Sequence, residues 1–395
     1  TAYLGLLNRF SGHRSFAQRV RTLIPQIDDE KHRVDALCRL ARYMPDWAGK
    51  IAVEVAAVGD IFRQKKEYDQ AEDIYMQALI LSPTDLGYQV KLADILLARG
   101  ELAAALGHYR LVLLTAPESP YSAGQFDRVC MEQGEPDEAA RFWEGLHEMN
   151  PKAAVPALHL GYVLERKDRI EEALILYRQI EEHHPNNAEA LLRQGILLAI
   201  LEGYAKGRVV MDRALDRAPD LHPDLVAGLT RIAAYYTETG AHAFAEAIYR
   251  EVMELAPDNG WHQVRYAEAL MAQENYSKAQ EVFVDILQGA PESPYSADKL
   301  DEIFERIEEP ALRVSTWKSL YTRYPEAFIP VLHYGKALED KGDHNEALLQ
   351  YRILHDSHPD QPELMLRLGM LTARIEGYDT GRLLMDGAVA AEQSL

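Results

Sequence analysis

Proline returns at every thirty-fourth position through most of this chain. The prolines at this interval form two runs joined by one longer step of 38 positions: Pro83, Pro117, Pro151, Pro185 and Pro219, then Pro257, Pro291, Pro325 and Pro359. A unit of this length cannot bury a hydrophobic face alone, so consecutive units must stack into an array. The interval therefore predicts an all-α solenoid in which each repeat is one helix-turn-helix unit.

Small and large residues recur at fixed places between the prolines. If each proline is counted as position 32, position 8 is glycine or alanine in eight of ten repeats, and position 20 in nine. Position 24 holds Tyr, Trp, Phe or Met in all ten. Small residues let two helix backbones approach, and the large residue fills the space between repeats. Arg313 at a small position, and Gln393 in place of a tenth proline, depart from the pattern.

This pattern resembles the tetratricopeptide repeat family over ten consecutive repeats, and the segment before Pro45 aligns as a degenerate further repeat. The resemblance implies an α-α superhelix of ten to eleven helix pairs. In that family the first helices line a concave groove, where positions 2, 5, 6, 9, 12 and 13 commonly face the ligand. The resemblance therefore implies a scaffold that holds a protein or peptide partner in a right-handed superhelical groove.

The array is itself duplicated. Its five-repeat block recurs 174 positions later, which divides one continuous solenoid into a degenerate N-terminal repeat (1–50) and two blocks (51–221 and 222–395). Pro117–Ala123 and Pro291–Ala297 read the same seven letters. A second recurring set consists of Gly203, Tyr204, Gly207, Arg208, Met211 and Asp212, matched by Gly377, Tyr378, Gly381, Arg382, Met385 and Asp386. A recent duplication explains these identities, and so does a partner with two equivalent features.

Composition excludes several classes of partner. The formal net charge of −20 argues against nucleic acid and against an anionic membrane surface. The longest apolar runs, such as 196–201, are too short to cross a bilayer, and the N-terminal residues do not read as a signal peptide. Cys38 and Cys130 stand far apart, so no disulfide framework is expected. This cysteine usage fits a cytoplasmic location and also a periplasmic one.

No catalytic constellation stands out in the sequence. The chain contains no HExxH or GxSxG motif, no phosphate-binding glycine loop and no cysteine pair at zinc spacing. The histidines before Pro185 and Pro359 read as favourable charges at helix C-termini. The sequence therefore predicts no enzyme activity, no metal and no cofactor in these residues.

One column of the repeats favours binding. Position 6 holds Lys, Arg or His in nine of eleven repeats, and these candidate partner-binding residues are Arg19, Lys91, His159, Arg193, Arg231, Arg265, Lys299, His333 and Arg367. Guanidinium groups that converge in a groove suit carboxylates, so this column predicts an acidic segment as the partner.

The same column has a structural interpretation that the sequence leaves open. Five of the nine bases have an acid three or four positions away on the same helix: Lys91 with Asp94, Arg265 with Glu268, Lys299 with Glu302, Arg193 with Glu189 and Arg367 with Glu363. Such pairs contribute a few tenths of a kcal/mol each and would make this a self-neutralised face.

Aromatic residues at position 2 are further candidates for partner contact: Tyr121, Trp261 and Tyr295. The aromatic residues at position 24 are expected to pack between helices instead. Position 5 holds no lysine, so the carboxylate clamp of chaperone cofactors that resemble this family is not expected.

Three functions remain open at this stage. The first is a non-catalytic protein-interaction scaffold, and the second is the substrate-presenting region of a larger enzyme such as a glycosyltransferase. The third is a periplasmic adaptor for polysaccharide or envelope assembly. Because no polar capping helix follows the last repeat in this sequence, we expect one of two outcomes: the natural protein continues, or this uncapped end packs against a partner or self-associates with a second copy.

Overall fold

Paired α-helices make up the protein. The computed structural model describes residues 14–257 and 259–392, which form 22 α-helices and no strand, as the proline interval predicts. The chain divides into two compact units, Thr1–Leu197 and Leu198–Leu395. Their boundary falls inside one helix and does not coincide with that of the sequence blocks, whose division at residues 221 and 222 stays a prediction. Gln393 lies outside the described residues.

The first unit contains the degenerate repeat and the helix pairs that follow it. Its helices are α1 (Arg14–Leu23), α2 (Glu30–Tyr43), α3 (Ala48–Gln64), α4 (Tyr68–Leu81), α5 (Leu86–Ala98), α6 (Leu102–Thr115), α7 (Pro120–Glu132), α8 (Pro136–Met149), α9 (Ala154–Arg166) and α10 (Ile170–His183). Helix α11 (Ala188–Leu201) contains the boundary between the units.

The second unit repeats this arrangement. Its helices are α12 (Tyr204–Arg217), α13 (His222–Glu238), α14 (His242–Leu255), α15 (Gly260–Ala272), α16 (Tyr276–Gly289), α17 (Pro294–Ile307), α18 (Pro310–Arg323), α19 (Phe328–Lys341), α20 (His344–Ser357), α21 (Pro362–Glu376) and α22 (Tyr378–Glu392). The four extra residues of each long step lengthen the next first helix, since α3 and α13 have 17 residues.

Glycine at position 8 allows the aromatic residue at position 24 to pack across the helix pair. Tyr177 is fully buried, and a Cβ on Gly161 would lie 2.5 Å from the Cε1 atom of its ring. Gly59 stands in the same relation to the buried Tyr75. The small and large columns are thus the two sides of one helix-helix contact.

The seven-letter motif at residues 117–123 and 291–297 joins neighbouring repeats. Helix α9 has no capping side chain of its own, and the Glu118 carboxylate accepts hydrogen bonds from the backbone N–H groups of Ala154 (2.6 Å) and Val155 (3.4 Å). Glu292 caps the start of α19 in the same way, over 2.6 and 3.3 Å. A carboxylate at a helix N-terminus satisfies donors that the helix leaves unpaired. The recurrence of this motif therefore has a structural cause.

The first serine of the motif occupies the N-cap position of α7 but does not cap the helix with its side chain. Ser119 precedes Pro120 at the start of α7, and its hydroxyl lies 3.0 Å from the hydroxyl of the buried Ser122 instead of capping a backbone N–H group. In the second copy Ser293 also accepts a hydrogen bond from the Ser296 N–H group, at 3.4 Å.

Candidate partner-binding site

Three position-6 bases of the second unit form the intrahelical pairs that their spacing predicts. Arg265 lies 3.0 Å from Glu268, and Lys299 lies 2.8 Å from Glu302. Arg367 contacts Glu363 on its own helix (3.2 Å) and Glu339 of the preceding repeat (3.3 Å). The Glu302 carboxylate raises the pKa of Lys299, which keeps the ammonium charged.

In the first unit the prediction that Lys91 pairs with Asp94 was wrong. Its ammonium contacts both oxygens of Asp60 in the preceding repeat, at 2.6 and 2.7 Å. Asp94 accepts hydrogen bonds from the hydroxyls of Tyr109 (2.6 Å) and Tyr121 (2.9 Å) instead. Since Tyr hydroxyls already hold Asp94, Lys91 uses a carboxylate that stacking of the repeats brings near.

Arg193 lies in a cluster of charged and aromatic groups rather than free in solvent. Its guanidinium is half-buried, 4.7 Å from the centre of the Tyr162 ring. Burial alone would lower the pKa of Arg193, but the nearby Glu165 and Glu189 carboxylates and neighbouring Tyr groups raise it by more. This base is neutralised inside the protein. Of the remaining column members, Arg19 is exposed and Arg231 is half-buried.

Both histidines of the column are buried, which corrects their placement on an exposed groove surface. His159 is 9% exposed and His333 is 2% exposed. The Nδ1 atom of His159 lies 2.6 Å from Asp127, whose carboxylate also accepts a hydrogen bond from the Trp143 indole, at 2.6 Å. His159 stacks on that indole at 4.7 Å. A half-buried acid with two partners explains why Asp127 replaces a small residue at position 8.

The second copy of this cluster explains the departure at Arg313. Asp301 accepts hydrogen bonds from the Trp317 indole (2.8 Å) and from Arg313 Nε (3.0 Å), and the Nδ1 atom of His333 lies 2.7 Å from the same carboxylate. Burial raises the pKa of Asp301, but His333 and Arg313 lower it by more, so the net shift is downward. Arg313 also pairs with Asp340.

The three position-2 aromatics are exposed, as expected for groove residues. Trp261 is 52% exposed, with the guanidinium of Arg265 4.5 Å from its ring centre. Tyr295 is also exposed, donates a hydrogen bond to Glu268 and lies under Lys299. Tyr121 occupies the equivalent place in the first unit. Each ring is held in place by a polar contact and remains about half exposed, so it can contact a ligand.

A cleft of about 430 Å³ lies in the second unit, and two of its lining residues, Glu268 and Lys299, contact Tyr295. Its lining residues are Glu268, Met271, Ala272, Glu274, Tyr276, Lys299, Glu302 and Arg306. Six of these eight stand at positions 6, 9, 12 or 13 of a first helix, where the family resemblance puts ligand contacts. We call this the α15–α17 cleft. The sequence predicts Lys299 as a partner-binding residue, but it did not single out Met271 or Arg306.

The lining of the α15–α17 cleft carries charges of both signs and some apolar surface. Three carboxylates face two bases, and Met271 and Ala272 supply the apolar surface. Within residues 14–257 and 259–392, no group of three or more His, Cys, Asp or Glu side chains is arranged to hold a metal ion. The described helices also include none that is both long and apolar enough to cross a membrane.

Comparison with known families agrees with this geometry. Two tetratricopeptide repeat models match the chain, one over residues 57–123 and 158–222 and the other over residues 236–300. The chain belongs to the tetratricopeptide repeat family. The repeats make this tetratricopeptide repeat protein a scaffold for protein interaction.

The curated relatives of this tetratricopeptide repeat protein are distant. It is 21% identical to the Protein CTR9 homolog of Arabidopsis thaliana over 342 residues, which cover 82% of this chain and 31% of the relative. It is 23% identical to Cellulose synthase operon protein C of Pseudomonas fluorescens over 406 residues, which cover 79% and 32%. The chain thus spans about a third of the length of each of these two relatives.

A solved tetratricopeptide structure is similar as well. The thermophilic protein TTC0263 of Thermus thermophilus is 24% identical to this tetratricopeptide repeat protein, with a TM-score of 0.33. The similarity covers 47% of this chain and 100% of that one.

Proposed function

We propose that this protein holds an extended segment of a partner protein against the first-helix faces of α15 and α17. The observation that carries the proposal is the α15–α17 cleft, two of whose lining residues contact the exposed Tyr295, with the exposed Trp261 at the start of the same helix α15. A concave site with a few polar groups and exposed aromatic rings is the usual form of a peptide-binding surface. The proposed role is non-catalytic.

Pre-ordered aromatic rings supply most of the expected binding energy. Trp261 is held under Arg265, and the Tyr295 hydroxyl is held by Glu268, so both rings have already lost part of their side-chain freedom. Binding to such rings costs little further ordering, and the large apolar faces gain free energy when a partner covers them.

The charges of the cleft favour a partner segment of mixed polarity. Arg265 and Lys299 each contact a carboxylate on their own helix, and Glu268, Glu274 and Glu302 outnumber the two bases that line the cleft. A uniformly acidic segment would have to displace these carboxylates from their bases. The acidic partner that the position-6 column predicts stays a prediction. Because Arg265 is exposed on α15, a charge reversal at this residue would test it most directly.

Alanine at Trp261 or Tyr295 is expected to weaken partner binding about tenfold or more, because each replacement removes a central aromatic contact. Partners are first identified by affinity capture with the intact chain, and their affinity for each variant is then measured by calorimetry. Leu349→Ala is the matched control, since Leu349 is equally exposed but lies on the second helix α20. If the partner bound all three variants with equal affinity, the cleft would not be its binding site.

A second candidate is an adaptor in polysaccharide or envelope assembly in the periplasm. The observation that favours it is the 23% identity to Cellulose synthase operon protein C over 79% of this chain. Exposed aromatic rings can also stack on sugars, so a titration with cello-oligosaccharides separates a carbohydrate ligand from a protein one. A change in tryptophan fluorescence that Trp261→Ala abolishes would support direct carbohydrate binding at the cleft. No change would leave a protein partner as the ligand.

A further inference from the structure

The recurring Gly-Tyr, Gly-Arg and Met-Asp residues make an interface in their first copy. On α12 the backbone N–H of Tyr204 donates to the Tyr236 hydroxyl at 3.1 Å, and the Tyr204 hydroxyl donates to Glu251. Arg208 Nε donates to the same Glu251 at 3.0 Å. Tyr236 and Glu251 lie on α13 and α14, so these contacts hold the next helix pair in place.

The second copy keeps the donors of this interface but not, among the described residues, the acceptors. On α22 Tyr378 is 64% exposed, and the Arg382 side chain is 62% exposed where that of Arg208 is 26% exposed. Arg382 retains the pair with Asp386 (3.4 Å) that corresponds to Arg208 with Asp212. No residue of the described part of the chain takes the place of Tyr236 or Glu251 against α22.

Apolar side chains on the other helix of this pair, α21, are exposed as well. Leu366 and Met370 on α21 are exposed, whereas their counterparts 174 positions earlier, Leu192 and Ile196, are buried. Exposed apolar surface next to exposed polar donors is typical of an interaction site rather than of a solvated end. We call Leu366, Met370, Tyr378 and Arg382 the α21–α22 end face.

We infer that the α21–α22 end face docks a helical hairpin of the tetratricopeptide type that presents a Tyr hydroxyl and a Glu carboxylate in the places of Tyr236 and Glu251. The first copy shows the chemistry of such a partner directly. The Tyr hydroxyl accepts a backbone N–H, and the carboxylate receives both a Tyr hydroxyl and a guanidinium. A charge-assisted contact of this kind selects one hairpin among many of similar shape.

The first hairpin of a second copy of this chain lacks these groups. At the positions corresponding to Tyr236 and Glu251, the pair α3 and α4 carries Phe62 and Gln77. Phe62 has no hydroxyl, and Gln77 has no charge to offer Arg382. The inferred partner is therefore a hairpin like residues 222–255 rather than the N-terminal end of another copy.

An extended chain tests the inference. A copy of residues 219–257 replaces residues 393–395, which keeps the spacing of 174 positions between the original and the copied hairpin. Amide hydrogen exchange is then measured by mass spectrometry for peptides from α21 and α22. We expect exchange there to slow about tenfold or more relative to the unextended chain, because docking suppresses local opening.

Two controls make the outcome decisive. The first is an added copy that carries Tyr236→Phe and Glu251→Gln, and the second is Arg382→Ala in the chain with the unmodified copy; both are expected to lose most of the protection. Equal protection by the substituted copy, or none by either copy, would overturn the inference. So would a dimer of the unextended chain in sedimentation experiments that Arg382→Glu dissociates, because the face would then be occupied by a second copy.

Discussion

Replacing Asp301 by alanine should lower the free energy of unfolding by about 3 kcal/mol or more, since removing one partner of a buried ion pair leaves the others uncompensated. The variant strands the Trp317 indole, the His333 imidazole and one side of the Arg313 guanidinium in the interior. Urea unfolding followed by circular dichroism measures the loss. Asp298→Ala is the control, because Asp298 is exposed on the same helix and its loss should change stability by less than about 0.5 kcal/mol.

The pH dependence of the Asp301 effect has a defined sign. The folded-state pKa of Asp301 is lowered, so its carboxylate stabilises the fold above the unfolded-state pKa, and this contribution disappears as pH falls through the folded-state value. The difference in free energy of unfolding between the wild-type chain and Asp301→Ala should therefore be largest near pH 7 and shrink below about pH 4. A difference that grows on acidification would contradict the proposed charge state. Asp127→Ala should cost less, since no arginine contacts Asp127 among the described residues of the first cluster.

Gly161→Ala should destabilise the first unit by about 2 kcal/mol, because the added methyl group enters the space of a fully buried ring. The Tyr177 ring crosses Gly161 to donate a hydrogen bond to Glu165 at 2.7 Å, and it cannot move without breaking that bond. Gly124→Ala on α7 is the matched control, as nothing lies within 4 Å of its added Cβ. Alanine there should stabilise the helix by up to about 1 kcal/mol. Thermal unfolding measures the melting temperature of each variant. Shifts of the same sign in the two melting temperatures would contradict this packing.

The helices were predictable from the sequence because their signal repeats. A proline follows the second helix in nine of the ten repeats, and small and large residues recur at fixed positions in nearly all of them. These signals lie within single repeats, so they can be recognised without knowing how neighbouring repeats pack. The fold class was therefore confirmed in full, while the two-block division stays a prediction.

Contacts between repeats were harder to predict, because residues far apart in the chain meet only after stacking. Lys91 was expected to pair with Asp94 and pairs with Asp60, and the capping of α9 by Glu118 was not foreseen. The buried clusters did leave a usable signal. Asp127 and Asp301 both interrupt a small-residue column, and each is followed at the same spacing by a Trp and a His.

The candidate site was predicted in part. Trp261 and Tyr295 are exposed as their position implies, and Arg265 and Lys299 form the expected pairs, but His159 and His333 belong to the interior. A column of bases on first helices does not by itself distinguish a binding groove from a ladder of ion pairs between repeats. The positions of the carboxylates bear on this question: Lys91, His159, His333 and Arg367 contact acids of the preceding repeat, whereas Arg265 and Lys299 contact acids of their own helix.

The central proposal is that partner segments lie on the first-helix face at the α15–α17 cleft. Site-specific photocrosslinking tests it most directly: a photoreactive amino acid is placed at position 261, 302 or 349 in turn, and the intact chain is irradiated with its captured partner. We expect crosslinks from position 302, which lines the cleft, and from position 261 at the start of the same first-helix face of α15, and none from position 349 on α20. Crosslinks from position 349 with none from 261 or 302 would contradict the proposal.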